Sequence, residues 1–302
     1  MTSISYETWS EREEAHYQKA VAYTQPYRER KCRHEAHPID DFLFTYYNFS
    51  LAKVERWQPS FREILALPEG ESLEAFFKDR ARFARAPFGV EQFGSAQALR
   101  MQPHQMTDKQ RAFMRWIADL LEQTFNRTPN FGCFGMHEWA MVYEGQEVRH
   151  EKSTSLRLPQ EEIDTFVRSR PLCCSHFDAF RFFAPNAVPM NRFQPNLDTR
   201  PEHEQPACLH ANMDLYKWAF KAMPWVGSEI LWECFELALQ GRELDMKASP
   251  YDLSSWGRRP IKVETPEGRV EYEAQQRQLS EKSQLLRKKL LGEIQALIEW
   301  AG

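Results

Sequence analysis

The sequence lacks any long apolar run. Nothing approaches the roughly 18 uninterrupted apolar residues that a transmembrane helix needs, which excludes such a span in the 302 residues. It lacks a basic excess, because 39 Lys and Arg stand against 43 Asp and Glu, with a net charge of -4 and a pI of about 6.2. The whole molecule is therefore without the positive charge that usually announces nucleic-acid binding, although a local basic face stays open. Its six cysteines, Cys32, Cys133, Cys173, Cys174, Cys208 and Cys234, form no Cys-x-x-Cys pair. The opening from Ser5 to Lys19 is polar and holds no apolar signal segment, so a reduced, cytoplasmic compartment is expected. Internal repeats, low-complexity tracts and a domain linker are also missing, and residues 1–302 read as one domain.

With 42% hydrophobic and 13% aromatic residues, the chain has enough apolar surface for a substantial core. Helical signals dominate and predict a mainly α fold with long ordered loops and one short β element. Thr8-x-x-Glu11 reads as a capping box opening an amphipathic segment through about Tyr23, with Pro26 ending or kinking it. His37-Pro38 opens a second helix carrying Phe42, Leu43, Phe44, Tyr46, Tyr47 and Phe49, apolar nearly all round and hence central. Leu51 to Trp57 and Ser60 to Leu67 suggest short helices, and Pro87 to Gln105 a loop. Thr107-x-x-Gln110 is a second capping box, followed by Phe113, Trp116, Ile117, Leu120, Leu121 and Phe125 at helical spacing. Pro159 to Arg168 reads as helix, and Pro185 to Pro206 as a long loop or lid. Asn212 to Met223 and Ser228 to Lys247 follow as helices. Ile261 to Glu264 is the strand candidate, and Thr265-Pro266 caps a final helix over about 267–300 with an apolar stripe from Leu285 to Ile298.

Four stretches set His beside carboxylate in aromatic, apolar surroundings: His37 to Asp41, His137-Glu138, His176-x-Asp178 and His210-x-x-x-Asp214. Such groups are costly to bury unless paired, ligated or put to chemical use. Gly132 and Gly135 precede the His137 segment and allow a close backbone approach or an unusual turn, but two glycines do not make a phosphate loop. With Asn212 onward helical, His210 sits at the helix mouth, and Asp214, Lys217 and Lys221 share one face, where Asp214 and Lys217 can form an ion pair. One such pair is most simply a device for orienting a buried helix. Recurrence in several segments favours a functional site.

The same residues support two chemistries. Imidazole with carboxylate oxygens suits zinc, iron or manganese, with His137, His176, His210, Glu138, Asp178 and Asp214 as candidate ligands. No segment carries a His-Glu-x-x-His or Glu-x-x-His spacing, and His34-x-x-His37 lies among basic residues as a solvated or capping pair. Without metal, Glu138, Asp178 or Asp214 could act as general base or anionic stabiliser, with Lys217 beside them. Trp139, Tyr143, Phe177, Tyr216 and Trp218 could then stack on a planar substrate ring, although aromatics at helical spacing pack a core more often. Tyr251 and Asp252 are further pocket contributors. Cysteine catalysis is the weakest option, since the apolar context of Cys173-Cys174 raises a thiol pKa.

The blocks 37–47, 132–143, 174–183 and 209–218 resemble a bacterial family commonly labelled 3-methyladenine DNA glycosylase, and the resemblance spans nearly the whole chain. It implies an N-glycosylase of DNA repair that excises a modified nucleobase. A carboxylate, Glu138, Asp178 or Asp214, would act at the glycosidic bond, no cofactor would be required, and damaged DNA or a small nucleobase-like substrate would be the partner. The chain has no Leu-Pro-Gly-Val-Gly-like hairpin of the helix-hairpin-helix glycosylases, so no catalytic residue carries over by motif. A soluble metalloenzyme acting on a small molecule, and a non-catalytic nucleobase or cofactor-binding protein, are the alternatives.

Overall fold

A computed structural model describes residues 1–85, 87–93, 96–145 and 154–301. Among them the chain is mainly α-helical, as expected, with a four-stranded sheet where one short β element was predicted. Ser5 accepts a hydrogen bond from the Thr8 N–H at 3.3 Å and caps α1, Tyr6–Cys32. The helix thus begins before the Thr8-x-x-Glu11 box and runs through Pro26. Proline is tolerated there because Pro26 and Ala22, whose carbonyl loses its donor, are both exposed.

His37 to Asp41 forms a turn, not the start of a helix. The His37 Nδ1 accepts from the N–H groups of Ile39 and Asp40, and Asp41 accepts from the N–H of His37. Side chains that capture nearby backbone groups in this way compete with helix, and only Phe42–Tyr46, α2, is helical. Leu51–Glu55, α3, follows.

Ser60 to Leu67 and Pro87 to Gln105, expected as helix and loop, contribute strands instead. β1 (Thr2–Ile4) pairs in parallel with β2 (Glu63–Ala66), while β3 (Phe88–Phe93) and β4 (Ala96–Met101) form an antiparallel pair, giving the order β1-β2-β4-β3. A four-residue strand is too short to display a period. Burial decides the matter: Leu65 lies opposite Leu99 across the antiparallel β2–β4 ladder, and both join Ile4, Trp9, Trp57 and Phe76 in a separate apolar cluster. Phe76 comes from α4, Leu73–Asp79. The Trp9 indole N–H donates to the Ala66 carbonyl at 2.8 Å and ties α1 to the sheet.

The second half is helical. The Thr107–Gln110 capping box forms as expected and opens α5, Asp108–Asn126. It is followed by α6 (Met136–Met141), α7 (Gln160–Arg168), α8 (Phe177–Phe180) and α9 (Arg200–His203). The last three helices are α10 (Leu209–Lys221), α11 (Ser228–Ala248) and α12 (Pro266–Ala301). The stretch 185–206, expected as a long loop or lid, runs largely along the surface but turns its end inward, with Arg200, Glu204 and Gln205 almost wholly buried. Ile261 to Glu264 is not a strand; Ile261 and Val263 are buried on a turn tied to the Lys247 carbonyl. α12 fixes the site from behind. Gln276 and Ser280 donate to the carbonyls of Ala207 and Pro206, and the buried Arg287 donates to Asn212 Oδ1 at 2.6 Å. Leu286, Leu290, Ile294 and Leu297 of its stripe are buried, whereas Leu285 is exposed. No helix among the described residues is long and apolar enough to cross a membrane.

The start of α12 leaves no room for a side chain at Gly268, where an added Cβ would fall 1.9 Å from the Lys262 carbonyl oxygen. Gly268→Ala is expected to lower unfolding free energy by about 1–3 kcal/mol in urea titrations. Gly292→Ala, with nothing within 4 Å of the new Cβ, should instead stabilise the same helix by roughly 0.5–1 kcal/mol.

Candidate metal centre

Three helices deliver the polar residues in helical register. Gly135, at φ 69°, turns the chain into α6 and places His137 and Glu138 at its start. α10 carries His210, Asp214 and Lys217 at spacings of four and three, hence on one face. The helix starts at Leu209, so His210 lies in its first turn and not at its mouth. α11 supplies Arg242 and Asp245. His176 precedes α8, Asp178 lies within it, and Arg200 and Glu204 come from α9 and its C-cap.

These residues form two adjoining sets. In the first, His137, His210 and Asp245 bring one donor atom each to within 4.8 Å of the others. His137 Nε2 and Asp245 Oδ1 are 2.9 Å apart, both are buried, and neither is aligned for a hydrogen bond. Two adjacent ligands of a six-coordinate ion at about 2.1 Å would lie about 3.0 Å apart, so this spacing fits two donors on one cation as well as an imidazolium–carboxylate pair. Arg242 donates to the other oxygen, Asp245 Oδ2, at 3.1 Å and to Glu138 Oε1 at 3.1 Å. The His137 and His210 rings meet edge to face at 4.5 Å.

The second set is His176, Glu204 and Asp214. His176 Nε2 lies 3.3 Å from Asp214 Oδ2 and 3.4 Å from Glu204 Oε1. Lys217 Nζ stands 3.0 Å from both Asp214 Oδ2 and Asp178 Oδ2. Arg200 bonds Asp178 Oδ2 at 2.6 Å and faces Glu204 Oε1 at 3.1 Å. The Tyr47 hydroxyl donates to Asp214 Oδ1 at 2.9 Å. The His176 and His210 rings, 5.4 Å apart, join the two sets.

Electrostatics follow from this pairing. Burial, and next the charge on His137, push His210 down to about 3, so it is neutral with a free lone pair. Burial opposes the charge on His137, but Asp245 outweighs it and holds that imidazole well above its ordinary pKa. Against burial, Lys217 and then His176 hold Asp214 well below the carboxylate range, and Lys217 lowers the pKa of Asp178. Burial would strip Lys217 of its proton, yet Asp214 and Asp178 raise its pKa and keep it an ammonium. Burial raises Glu204.

A cavity of about 140 Å³ opens beside the first set. Glu138, Asp178, His210 and Arg242 form its polar side, and Phe42, Tyr46, Phe182 and Tyr251 its aromatic side. Phe42 and Tyr46 stack at 5.0 Å, and the Arg242 guanidinium lies 3.8 Å over Phe42. A smaller void behind His137 and His210 is bordered by Cys133, Cys173, Cys174 and Cys208. Burial raises Cys174 and Cys208, so these are thiols and not nucleophilic thiolates.

Of the expected site residues, Glu138, Asp178, Asp214, Lys217, His137, His176, His210 and Tyr251 come together. Glu138 and Asp178, expected as possible ligands, sit outside both three-residue sets and line the cavity. Trp139, Tyr143 and Tyr216 do not border it. The Trp139 indole donates to the Ala248 carbonyl in the core, Tyr143 accepts from Arg168, and Tyr216 packs among Tyr47, Phe49 and Phe235. Trp218 is buried against Trp116, Phe177 is only half-buried at the start of α8, and Asp252 caps the Ser254 N–H at the surface. Asp245 and Glu204, members of the two sets, and their partners Arg242 and Arg200 were missed. Comparison with family models, with curated proteins and with solved structures finds no match.

Removing Asp245 strands the buried His137 and leaves Arg242 with Glu138 as its one carboxylate partner. Asp245→Ala is expected to cost about 3–5 kcal/mol in guanidinium unfolding of metal-free protein. Asp108→Ala, which breaks an exposed pair with Arg111, should be nearly neutral.

Proposed function

We propose that the chain is a metal-dependent enzyme acting on a small molecule, with His137, His210 and Asp245 holding one divalent transition ion. The observation that carries this reading is the buried His137 Nε2 to Asp245 Oδ1 approach, 2.9 Å without hydrogen-bond alignment. Two imidazoles and one carboxylate suit iron, zinc or manganese and leave positions open to water or substrate. Such an ion supplies Lewis acidity and lowers the pKa of a bound water.

The surrounding residues divide the remaining work. Asp178 and Asp214, held low by Lys217, are poor proton acceptors and suit electrostatic stabilisation. Glu138, adjacent to His137 and facing the cavity, is the candidate general base, oriented by Arg242. Phe42, Tyr46, Phe182 and Tyr251 would hold the apolar part of the substrate. All six cysteines are free, which fits a reducing, cytoplasmic setting.

A second reading, the N-glycosylase implied by resemblance, draws on the aromatic cavity with Asp178 at its polar side. There Asp178 would stabilise positive charge on the sugar as the base departs.

Elemental analysis of protein prepared without chelator or metal-binding tag is expected to find about one equivalent of iron, zinc or manganese, lost on His137→Ala, His210→Ala or Asp245→Ala. Absence of metal after attempted reconstitution would overturn the metal reading. Release of free base from alkylated DNA by metal-stripped protein, abolished by Asp178→Asn with the fold intact, would establish the glycosylase.

A further inference from the structure

We propose that the set His176, Glu204 and Asp214 is a second cation position that the chain fills with its own Lys217 ammonium, so that the centre is mononuclear. The inference rests on the reading of His137, His210 and Asp245 as a cation centre.

The two sets differ in which oxygens remain free. In the first, Arg242 takes Asp245 Oδ2 and leaves Oδ1 to face His137 without a hydrogen bond. In the second, Lys217 Nζ stands 3.0 Å from Asp214 Oδ2, the same oxygen that faces His176. Arg200 Nε likewise faces Glu204 Oε1, the oxygen nearest His176. Glu204 Oε1 makes no hydrogen bond and is buried, so it remains a donor directed into the set once the ammonium is gone.

Charge leads to the same count. Glu138, Asp178, Glu204, Asp214 and Asp245 are five carboxylates, ion-paired with the three largely buried cations Arg200, Lys217 and Arg242, with the histidines and, at the solvent edge of Asp178, with the exposed Arg181. With all three histidines neutral, as ligation requires for His137 and His210, and with the solvated Arg181 set aside, two negative charges remain among the largely buried groups. One divalent ion balances them. A second would leave uncompensated positive charge in a dry interior, unless a cationic side chain left or an anion entered.

The test counts metal. Wild-type protein reconstituted with Mn(II) should hold about one ion per chain and give the six-line paramagnetic resonance of an isolated Mn(II). Lys217→Met keeps the aliphatic stem and removes the charge, and should raise the content to about two, with magnetic coupling between the ions. Adding Glu204→Gln to it should return the content to about one, and Lys217→Arg should stay at one. Two coupled ions in the wild type, or a folded Lys217→Met variant that holds no more metal than the wild type, would overturn the proposal. Should Lys217→Met fail to fold, the wild-type spectrum alone decides between isolated and coupled ions. A wild type without metal beside a Lys217→Met variant with one ion would remove the first centre and the mononuclear count, while keeping Lys217 as the occupant of the second position.

Discussion

Charge balance in a buried space is the condition on which the second half of the molecule depends. The carboxylates of Asp214, Glu204 and Asp245 are almost wholly out of water, and each would cost several kcal/mol if left without a partner. Their partners come from α6, the His176 turn before α8, the segment around α9, α10 and α11. None of these can be displaced without stranding a charge on another. This explains why α12, which contributes no group to either set, is tied to the carbonyls of Pro206 and Ala207 and to Asn212. Its buried polar side chains hold α10 and the Glu204 segment in place, so that the charges meet.

The network does not treat its members alike. Asp214 and Asp178 are locked by Lys217, whereas Asp245 shares only one oxygen with Arg242 and turns the other toward His137. Arg242 is pivotal: it orients Asp245 and Glu138 together and stacks on Phe42. One guanidinium thereby links the carboxylate that faces His137, the carboxylate on the cavity and the aromatic wall. A lysine would not reproduce that geometry, because its ammonium lacks the planar fork.

How much of this was legible in the sequence depended on context. His137, His176 and His210 stood out because each sits beside a carboxylate in an apolar block. Asp245 and Arg242 did not, because they lie in an ordinary-looking helix. A signal was there: Leu231, Phe235, Ala238, Arg242 and Asp245 recur at spacings of four, three, four and three, so the apolar stripe of α11 runs directly into a charged pair, and both charges must be buried. Arg200 and Glu204 offered less, lying in a proline-rich stretch without a period. Trp139 and Tyr216 misled because sequence shows that an aromatic is buried but not whether it borders a void. The sheet was missed because β1 and β2 span three and four residues, and their pairing depends on distant contacts such as Leu65 with Leu99.

The place where chemistry can occur follows from the one residue shared by both features of the site. His210 belongs to the set with His137 and Asp245, and it also borders the cavity with Glu138 and Asp178. A cation on that set would be reached by a substrate only from the cavity side, because the void on the other side is small and bordered by thiols. The cavity, about 140 Å³, has room for several waters or a small molecule. A small molecule placed between the aromatic pair Phe42–Tyr46 and Tyr251 would meet Glu138 and His210 together. The buried charges thus serve two ends: they hold the helices in register, and they set the neutral imidazole of His210 beside the cavity.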